Sequence, residues 1–189
     1  MKNKFLLFSY HLLFLLTACL ATTLQAAEVT LNFRHLTASE GLPSNWVGAL
    51  LQDQHGMIWI GTDRGLCRYD GFEFTRPAGS VPTSSVHALY EVEGTIWVGM
   101  DNGLYCYDSR TDSLMPAPTR EADGRSITSQ VVSIASDNHA DLWISTMGQG
   151  IFRYNPDSGQ LARFALPEGG QMAGDLIVDT DGGIWAVSK

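Results

Sequence analysis

The chain has 189 residues, of which 44% are hydrophobic and 17% are charged. This composition is ordinary for a globular protein and excludes wholesale disorder. The formal net charge is −8 and no run of Lys or Arg follows the first four residues, which argues against nucleic acid as a partner, because binding phosphates requires a basic face.

Residues 1–26 have the pattern of a secretory signal peptide, with two lysines, an apolar run over 5–20, and then small residues. Cleavage is expected after Ala26 or Ala27. Two alternatives stay open: the stretch "LTAC" resembles a lipobox that would place a lipid on Cys19, and the leader could remain as an uncleaved anchor. All three predict that the rest of the chain lies outside the cytoplasm.

A repeated motif follows the leader. Its tryptophans are separated by 38, 46 and 42 residues: Trp59, Trp97, Trp143 and Trp185. An acidic residue precedes each tryptophan by six positions: Asp53, Glu91, Asp137 and Asp179. Glycine and then tyrosine follow the first three: Gly65 and Tyr69, Gly103 and Tyr107, Gly150 and Tyr154. A period of about 42 residues is typical of repeat architectures.

The predicted elements within a repeat are all strands, separated by turns rich in Gly, Asp and Asn. The segment 31–36 is predicted as a first strand, of the kind that completes the last blade of a closed ring. In the first full repeat, strands are predicted at 47–51, 57–62, 66–70 and 72–76. Similar runs return in the later repeats, and no segment after the leader has sustained helical periodicity.

A four-stranded meander of about 42 residues cannot bury both of its faces alone, and stacking such sheets around an axis solves this problem. The sequence therefore predicts an all-β fold, a β-propeller of four-stranded antiparallel blades over residues 31–189. About three and a half blades are expected, with repeats at roughly 41–78, 79–118, 124–167 and 170–189. The fourth repeat stops within its second strand, so we expect the N-terminal part of a longer protein or a truncated reading frame.

The residues that could carry chemistry are better explained as scaffold. The acidic residues recur once per blade, which suits turn capping. Of the histidines at 35, 55, 87 and 139, His55 and His139 hold equivalent positions in non-adjacent blades and cannot share an ion. Cys67 and Cys106 hold different positions in adjacent blades, so a disulfide between them is not expected. We predict no catalytic, cofactor-binding or metal-ligating residue and no cofactor.

Ligand contacts cannot be assigned to particular residues from the sequence. The candidate segments are the loops at 62–64, 100–102 and 146–149, and the longer stretches at 77–85 and 117–126. Trp46 lies outside the repeat register and is either a stacking platform for a sugar ring or part of the packing between blades.

The stretch "GLPSNWVGALLQDQHGMIWIGTDRGLCRYDGFEF" (41–74) resembles the two-component regulator propeller repeat. That repeat occurs in the exported sensor regions of bacterial hybrid histidine kinases and sometimes ahead of diguanylate cyclases. Ser145 departs from the pattern, since the first two repeats have Gly61 and Gly99 there.

The resemblance implies that the parent protein is a membrane-bound sensor. Such proteins have two seven-bladed propellers and a small β-sandwich outside the membrane, then a transmembrane helix and a histidine kinase inside. The resemblance implies a periplasmic sensor of oligosaccharides or other small nutrients, homodimeric at full length. This segment would contact no nucleic acid, and it would meet the membrane only through its leader or a later transmembrane helix. The rivals are an exported propeller enzyme, such as a polysaccharide lyase or quinoprotein, and a free-standing surface propeller.

Overall fold

The computed structural model describes residues 31–78, 83–119, 126–164 and 173–188. The chain divides into two units, Met1–His35 and Leu36–Lys189. The predicted signal peptide and Cys19 lie outside the described residues, as do parts of the stretches at 77–85 and 117–126. No helix within the described ranges combines the length and apolar content that crossing a membrane requires.

The described residues form strands and one short 3₁₀ helix, Ala38–Glu40. The first sheet contains β1 (Val47–Gln52), β2 (Ile58–Thr62), β3 (Gly65–Tyr69) and β4 (Phe74–Thr75). The second contains β5 (Val86–Val92), β6 (Thr95–Met100), β7 (Gly103–Asp108) and β8 (Ser113–Pro116). The third contains β9 (Val131–Ser136), β10 (Leu142–Thr146), β11 (Gly150–Tyr154) and β12 (Leu161–Phe164), and the fourth contains β13 (Ala173–Val178) and β14 (Ile184–Ser188).

Each sheet is an antiparallel meander in which strands pair in chain order. The first strands of successive sheets (β1, β5, β9 and β13) are neighbours, so they form the inner side of the stack. The four repeat tryptophans lie on the second strands of four separate sheets. This arrangement confirms the predicted propeller fold.

The core consists of walls between adjacent sheets rather than one central cluster. The wall between the first and second sheets buries Trp59, Leu66, Val86, Ile96, Val98, Met100 and Leu114. The wall between the second and third sheets includes Trp97, Leu104, Val131, Ile134, Leu142, Ile144, Phe152 and Tyr154. In both walls the tryptophan contacts the third-strand tyrosine of the next sheet, with ring centroids 4.7 Å apart for Trp59–Tyr107 and 5.4 Å for Trp97–Tyr154. Such tilted and edge-to-face aromatic pairs add to the burial energy.

Small residues on the second strands allow the sheets to approach closely. A Cβ atom at Gly61 would overlap Val86 Cγ1, and one at Gly99 would lie 2.6 Å from Val131 Cγ1. Ser145 fits in the third sheet because its hydroxyl donates a 2.6 Å hydrogen bond to the Gly174 carbonyl of the fourth sheet. The departure from the repeat pattern therefore has a specific partner.

Two strand predictions differ from the structure. Residues 31–36, predicted as a strand, have no strand pairing among the described residues. The predicted strand at 72–76 is only Phe74–Thr75, because the Asp70 carboxylate accepts hydrogen bonds from the backbone N–H groups of Phe72 and Glu73 and extends the turn.

The two cysteines in the described part of the chain, Cys67 and Cys106, are free thiols. Cys67 lies on the face of the first sheet that is turned away from the second sheet, packed with Leu42 and Ile60. Cys106 lies opposite Trp97 on the side of the second sheet that faces the third. Burial raises the pKa of the Cys67 thiol to about 11 and also raises the pKa of Cys106, so both are protonated at neutral pH.

Candidate functional site

The stack of sheets has two edges with different turns. The edge where β1, β5 and β9 begin carries a register shift in each sheet, at 47–49, 86–88 and 131–133, and we call it the bulge face. The opposite edge carries the turns between first and second strands, and we call it the hairpin face. β-Bulges redirect side chains at the rims of sheets, which makes the bulge face a natural place for ligand contacts.

Three side chains from two sheets meet on the bulge face: Trp46, His87 and Asp101, which we call the bulge-face cluster. The Trp46 and His87 rings lie edge to face, with centroids 6.4 Å apart. His87 Nε2 lies 2.6 Å from Asp101 Oδ1. Trp46 is 53% exposed, so its indole offers an open surface beside a histidine–carboxylate pair in which His87 is half-buried and Asp101 is exposed.

The sequence around Trp46 fixes its position at the start of β1. The Trp46 backbone N–H donates to the Ser44 hydroxyl at 3.1 Å. A Cβ atom at Gly48 would lie 2.6 Å from the Val86 carbonyl and 3.1 Å from the Trp46 ring. Only glycine leaves room for this approach, so Gly48 lets the indole lie against the second sheet.

Asp101 is the anchor of the cluster. Its second carboxylate oxygen accepts hydrogen bonds from the Ser84 hydroxyl and the Ser85 backbone N–H, each at 3.3 Å. Burial works to raise the pKa of Asp101, but the hydrogen bonds from His87 and Ser85 outweigh it and hold the pKa below the ordinary value. The carboxylate is therefore charged at neutral pH, so Nε2–H of His87 is the donor in this hydrogen bond.

The cluster breaks the repeat symmetry. The bulged position that His87 holds in the second sheet is Gly48 in the first and Val132 in the third. The antiparallel pairing of Val86 with Met100 brings His87 and Asp101 to the same edge. Residues that occur in one blade only are the ones expected to carry function in a repeat fold.

The hairpin face is held by the repeated acidic residues. Asp53, Asp137 and Asp179 each accept the indole N–H of their own sheet's tryptophan, at 2.8, 3.1 and 2.9 Å. Each also accepts two backbone N–H groups of its turn. These three aspartates have the scaffold role that their recurrence predicts.

Glu91 does not share this role, and the prediction that it caps a turn as the aspartates do is wrong. The second hairpin has a two-residue turn, since Val92 pairs directly with Thr95, and Glu91 lies opposite Ile96. Glu91 instead accepts the Gln54 backbone N–H of the first sheet at 2.9 Å. The Trp97 indole N–H is consequently left without a partner among the described residues.

An ionic network that sequence reasoning missed joins the first two sheets. Arg68, directly opposite Trp59, donates to Tyr107 Oη at 2.6 Å and to Asp112 at 2.9 Å. Its guanidinium lies about 6 Å from the centroids of the Trp59 and Tyr107 rings. The hairpin between β2 and β3 places Arg68 opposite the repeat tryptophan, which local sequence can suggest. The contact with Asp112 cannot be found in this way, because Asp112 belongs to the next repeat.

A cleft of about 290 Å³ opens between the first and second sheets on the hairpin face. Its carboxylates are already engaged: Asp53 holds Trp59, Glu91 holds the Gln54 N–H and Asp108 holds Arg110. We therefore regard this cleft as part of the scaffold.

The remaining candidate residues serve turns. His55 and His139 lie in equivalent hairpin turns, each with its N–H bonded to the preceding aspartate. In the loops at 62–64 and 146–149, the buried Thr62 and Thr146 hydroxyls donate to the Gly65 and Gly150 carbonyls. Throughout the described ranges, no three His, Cys, Asp or Glu side chains come together as a metal would require.

Stacked four-stranded meanders with their first strands innermost define a β-propeller. Residues 41–64 match the family described as the two component regulator propeller. The match confirms the resemblance in the repeat motif, and this chain carries a two component regulator propeller repeat. None of the curated proteins matches the chain significantly.

The fold is similar to that of solved extracellular domains of B. thetaiotaomicron. The domain of a proposed hybrid two component system is 26% identical, with a TM-score of 0.67, over 81% of this chain and 23% of that one. The domain of a proposed one component system is 22% identical, with a TM-score of 0.66, over 82% and 22%. This chain thus spans less than a quarter of the length of either. A streptogramin B lyase shares the fold at 16% identity, with a TM-score of 0.61, over 78% and 49%.

Proposed function

We propose that this chain forms part of the exported, ligand-sensing propeller region of a membrane-bound two-component sensor kinase. The observation that carries the proposal is the two component regulator propeller match at residues 41–64. The similarity to an extracellular domain at 26% identity supports an exported location. The segment is not itself catalytic, and ligand binding would bias a kinase across the membrane by favouring one of two states.

The ligand in this proposal is an oligosaccharide that stacks on Trp46. A pyranose has an apolar ring face and a rim of hydroxyl groups. The exposed indole matches the ring face, while a hydroxyl on the rim can donate to the Nδ1 lone pair of His87. Asp101 has a positioning role, because it fixes the orientation and tautomer of the imidazole.

The binding test is titration calorimetry of the purified chain against a panel of plant and host oligosaccharides. Trp46→Ala should weaken binding of the best ligand at least tenfold, which corresponds to about 1.4 kcal/mol. Phe72→Ala is the matched control, since Phe72 is 88% exposed and remote from the cluster, and it should bind as the unchanged chain does. Equal affinity of the Trp46→Ala variant would refute the assignment of this ligand site.

The sensor role itself is tested by the gene beyond codon 189. A transmembrane segment followed by a kinase domain would support it, and a cyclase domain in that place would change the output but keep the sensing role. A stop codon after further repeats would contradict it.

A second candidate function, an exported propeller enzyme of the lyase class, is favoured by one observation. The His87–Asp101 pair occurs in one blade only and has the geometry of an oriented general base. Incubating the chain with the same oligosaccharides and analysing the products distinguishes the two. Cleavage of the oligosaccharides that is lost in the His87→Ala variant would support the enzyme. Binding of oligosaccharides that remain uncleaved would support the sensor.

A further inference from the structure

The exposed indole of Trp46 has polar groups of different character on its two sides. On the side of the second sheet lie His87 and Asp101, whose Nε2 and Oδ1 atoms are 2.6 Å apart. On the side of the first sheet lie Asn45, which precedes Trp46, and Arg64, in the turn between β2 and β3. One side of the indole is therefore anionic, and the other side carries N–H donors.

Asn45 presents the donor end of its amide to the solvent. Its Oδ1 atom accepts the backbone N–H of Ala38 at 2.8 Å, which fixes the carbonyl end of the side chain. The residue is exposed, and its Nδ2 atom has no acceptor among the described residues. The two N–H groups on Nδ2 are thus available to a ligand beside the indole.

The pairing of β1 with β2 brings Arg64 to the same edge as Trp46. Val47 pairs with Thr62, Trp46 comes directly before Val47, and Arg64 follows Thr62 by two residues. The backbone N–H of Arg64 donates to the Thr62 hydroxyl at 3.1 Å, which holds the turn. The side chain of Arg64 therefore starts on the bulge face, next to the strand end from which the indole extends.

The guanidinium of Arg64 is free to bind an anion. Three other arginines lie within 3.1 Å of a carboxylate oxygen: Arg68, Arg110 and Arg153. Arg64 is exposed and makes no ion pair within the described ranges, not even with its exposed neighbour Asp63. A guanidinium in this state can bind a planar carboxylate through two parallel N–H groups.

We propose that the ligand of the bulge-face cluster contains a uronic acid, whose ring stacks on Trp46 and whose carboxylate pairs with Arg64. This inference rests on the proposed function, since it takes Trp46 as the stacking surface for an oligosaccharide. The Asn45 amide donates to the same carboxylate. Asp101 determines the orientation of the ligand, because its negative charge repels the carboxylate and favours the side of the indole near Arg64.

The test compares uronic acid oligosaccharides with their methyl esters, which have the same rings but no charge. Titration calorimetry of the purified full chain against galacturonate, glucuronate and mannuronate oligomers identifies the best pair. We expect the acid to bind at least about tenfold more tightly than its ester. Added salt should weaken binding of the acid more than binding of the ester, because salt screens exposed charges.

Variants of Arg64 assign the preference to this side chain. Arg64→Gln should bind the acid and the ester with similar affinity, whereas Arg64→Lys keeps the charge and should keep a smaller preference for the acid. Arg110→Gln is the matched control, since it removes an exposed arginine from a turn on the hairpin face, and it should keep the full preference. Circular dichroism checks that each variant is folded.

The possible failures of the two proposals can be told apart. Equal binding of the acid and the ester, lost in Trp46→Ala, would overturn the uronic acid inference and leave the stacking site intact. A preference for the acid that persists in Arg64→Gln would also overturn the inference. Binding that Trp46→Ala leaves unchanged, or no binding of any oligosaccharide, would refute the proposed ligand site and this inference together.

Discussion

The bond between a turn aspartate and an indole is the residue-scale device that fixes each tryptophan. Asp53 shows it fully, because its carboxylate accepts the N–H groups of His55, Met57 and Trp59 within 2.9 Å. Removing an acceptor that satisfies several donors leaves those donors unpaired, and each unpaired donor has a desolvation cost. A single carboxylate thus stabilises both the turn and the rotamer of the aromatic side chain.

We predict that Asp53→Ala lowers the free energy of unfolding by about 1–3 kcal/mol. Asp63→Ala is the control, since this exposed aspartate lies in the turn on the bulge face, and its effect should stay within about 0.5 kcal/mol. Urea denaturation followed by fluorescence measures both. Equal destabilisation by the two variants would contradict the prediction, because the hydrogen bonds of Asp53 would then contribute no more to the free energy of unfolding than an exposed turn residue does.

Sequence spacing at this scale was reliable for three repeats and misleading for one. Asp53, Asp137 and Asp179 could be identified from their distance to tryptophan because their hairpins have the same length. Glu91 has the same spacing, but the turn at Glu93–Gly94 is shorter and both residues have positive φ angles of 50° and 75°. Residue spacing does not show that β5 and β6 continue to pair through Glu91 and Val92. The unpartnered indole N–H of Trp97 therefore could not be predicted from the sequence.

At the scale of elements, contacts between sheets depend on matched small and large residues. Gly99 faces Val131 across one wall, and a Cβ atom there would lie 2.6 Å from Val131 Cγ1 and 2.9 Å from Val131 Cβ. Adding a methyl group to so close a contact forces side chains or backbone to shift.

Gly99→Ala is therefore expected to destabilise the chain by about 1–3 kcal/mol. In the Val131→Ala background the loss should be smaller by at least about 0.5 kcal/mol, because the closest atom has been removed. Val86→Ala is the control background, since Val86 faces Gly61 instead, and there the effects should add. Denaturant midpoints of the single and double variants test the prediction, and additivity with Val131→Ala would contradict it.

The predicted strands could be located from alternation and turn residues, but their pairing could not. The segment 31–36 alternates as a strand does, yet a strand needs a partner edge, and the described residues offer it none. The bulge-face cluster shows the same limit. His87 and Asp101 were both visible in the sequence, but their contact depends on the hairpin register and on the bulge between Val86 and Ala88.

At the scale of the whole molecule, carboxylates determine how stability depends on pH. The hydrogen bond from the Tyr107 hydroxyl lowers the pKa of Asp112 below its ordinary value of 3.8, although burial opposes it. The bond from the Trp185 indole does the same for Asp179. A carboxyl with a lower pKa in the folded state contributes stability above its unfolded pKa, and that contribution is lost as the pH falls through the folded value.

We predict that the free energy of unfolding falls as the pH drops below about 4. Urea midpoints at pH 6 and pH 3 measure the change. Asp112→Asn removes one of the contributing groups, so the variant should show a smaller loss between the two pH values. A midpoint that rises on acidification would contradict this account.

The salt-bridged arginine at the first wall has a mechanical consequence for the candidate ligand site. Arg68 joins the first sheet to the second near the outer strands. Trp46 and His87 lie on the two sides of the same wall, at its inner edge. A ligand that bridges Trp46 and His87 would bind two sheets that Arg68 already holds together. Little conformational freedom would therefore be lost on binding. We therefore expect the first and second sheets to keep their relative position when a ligand binds at Trp46 and His87.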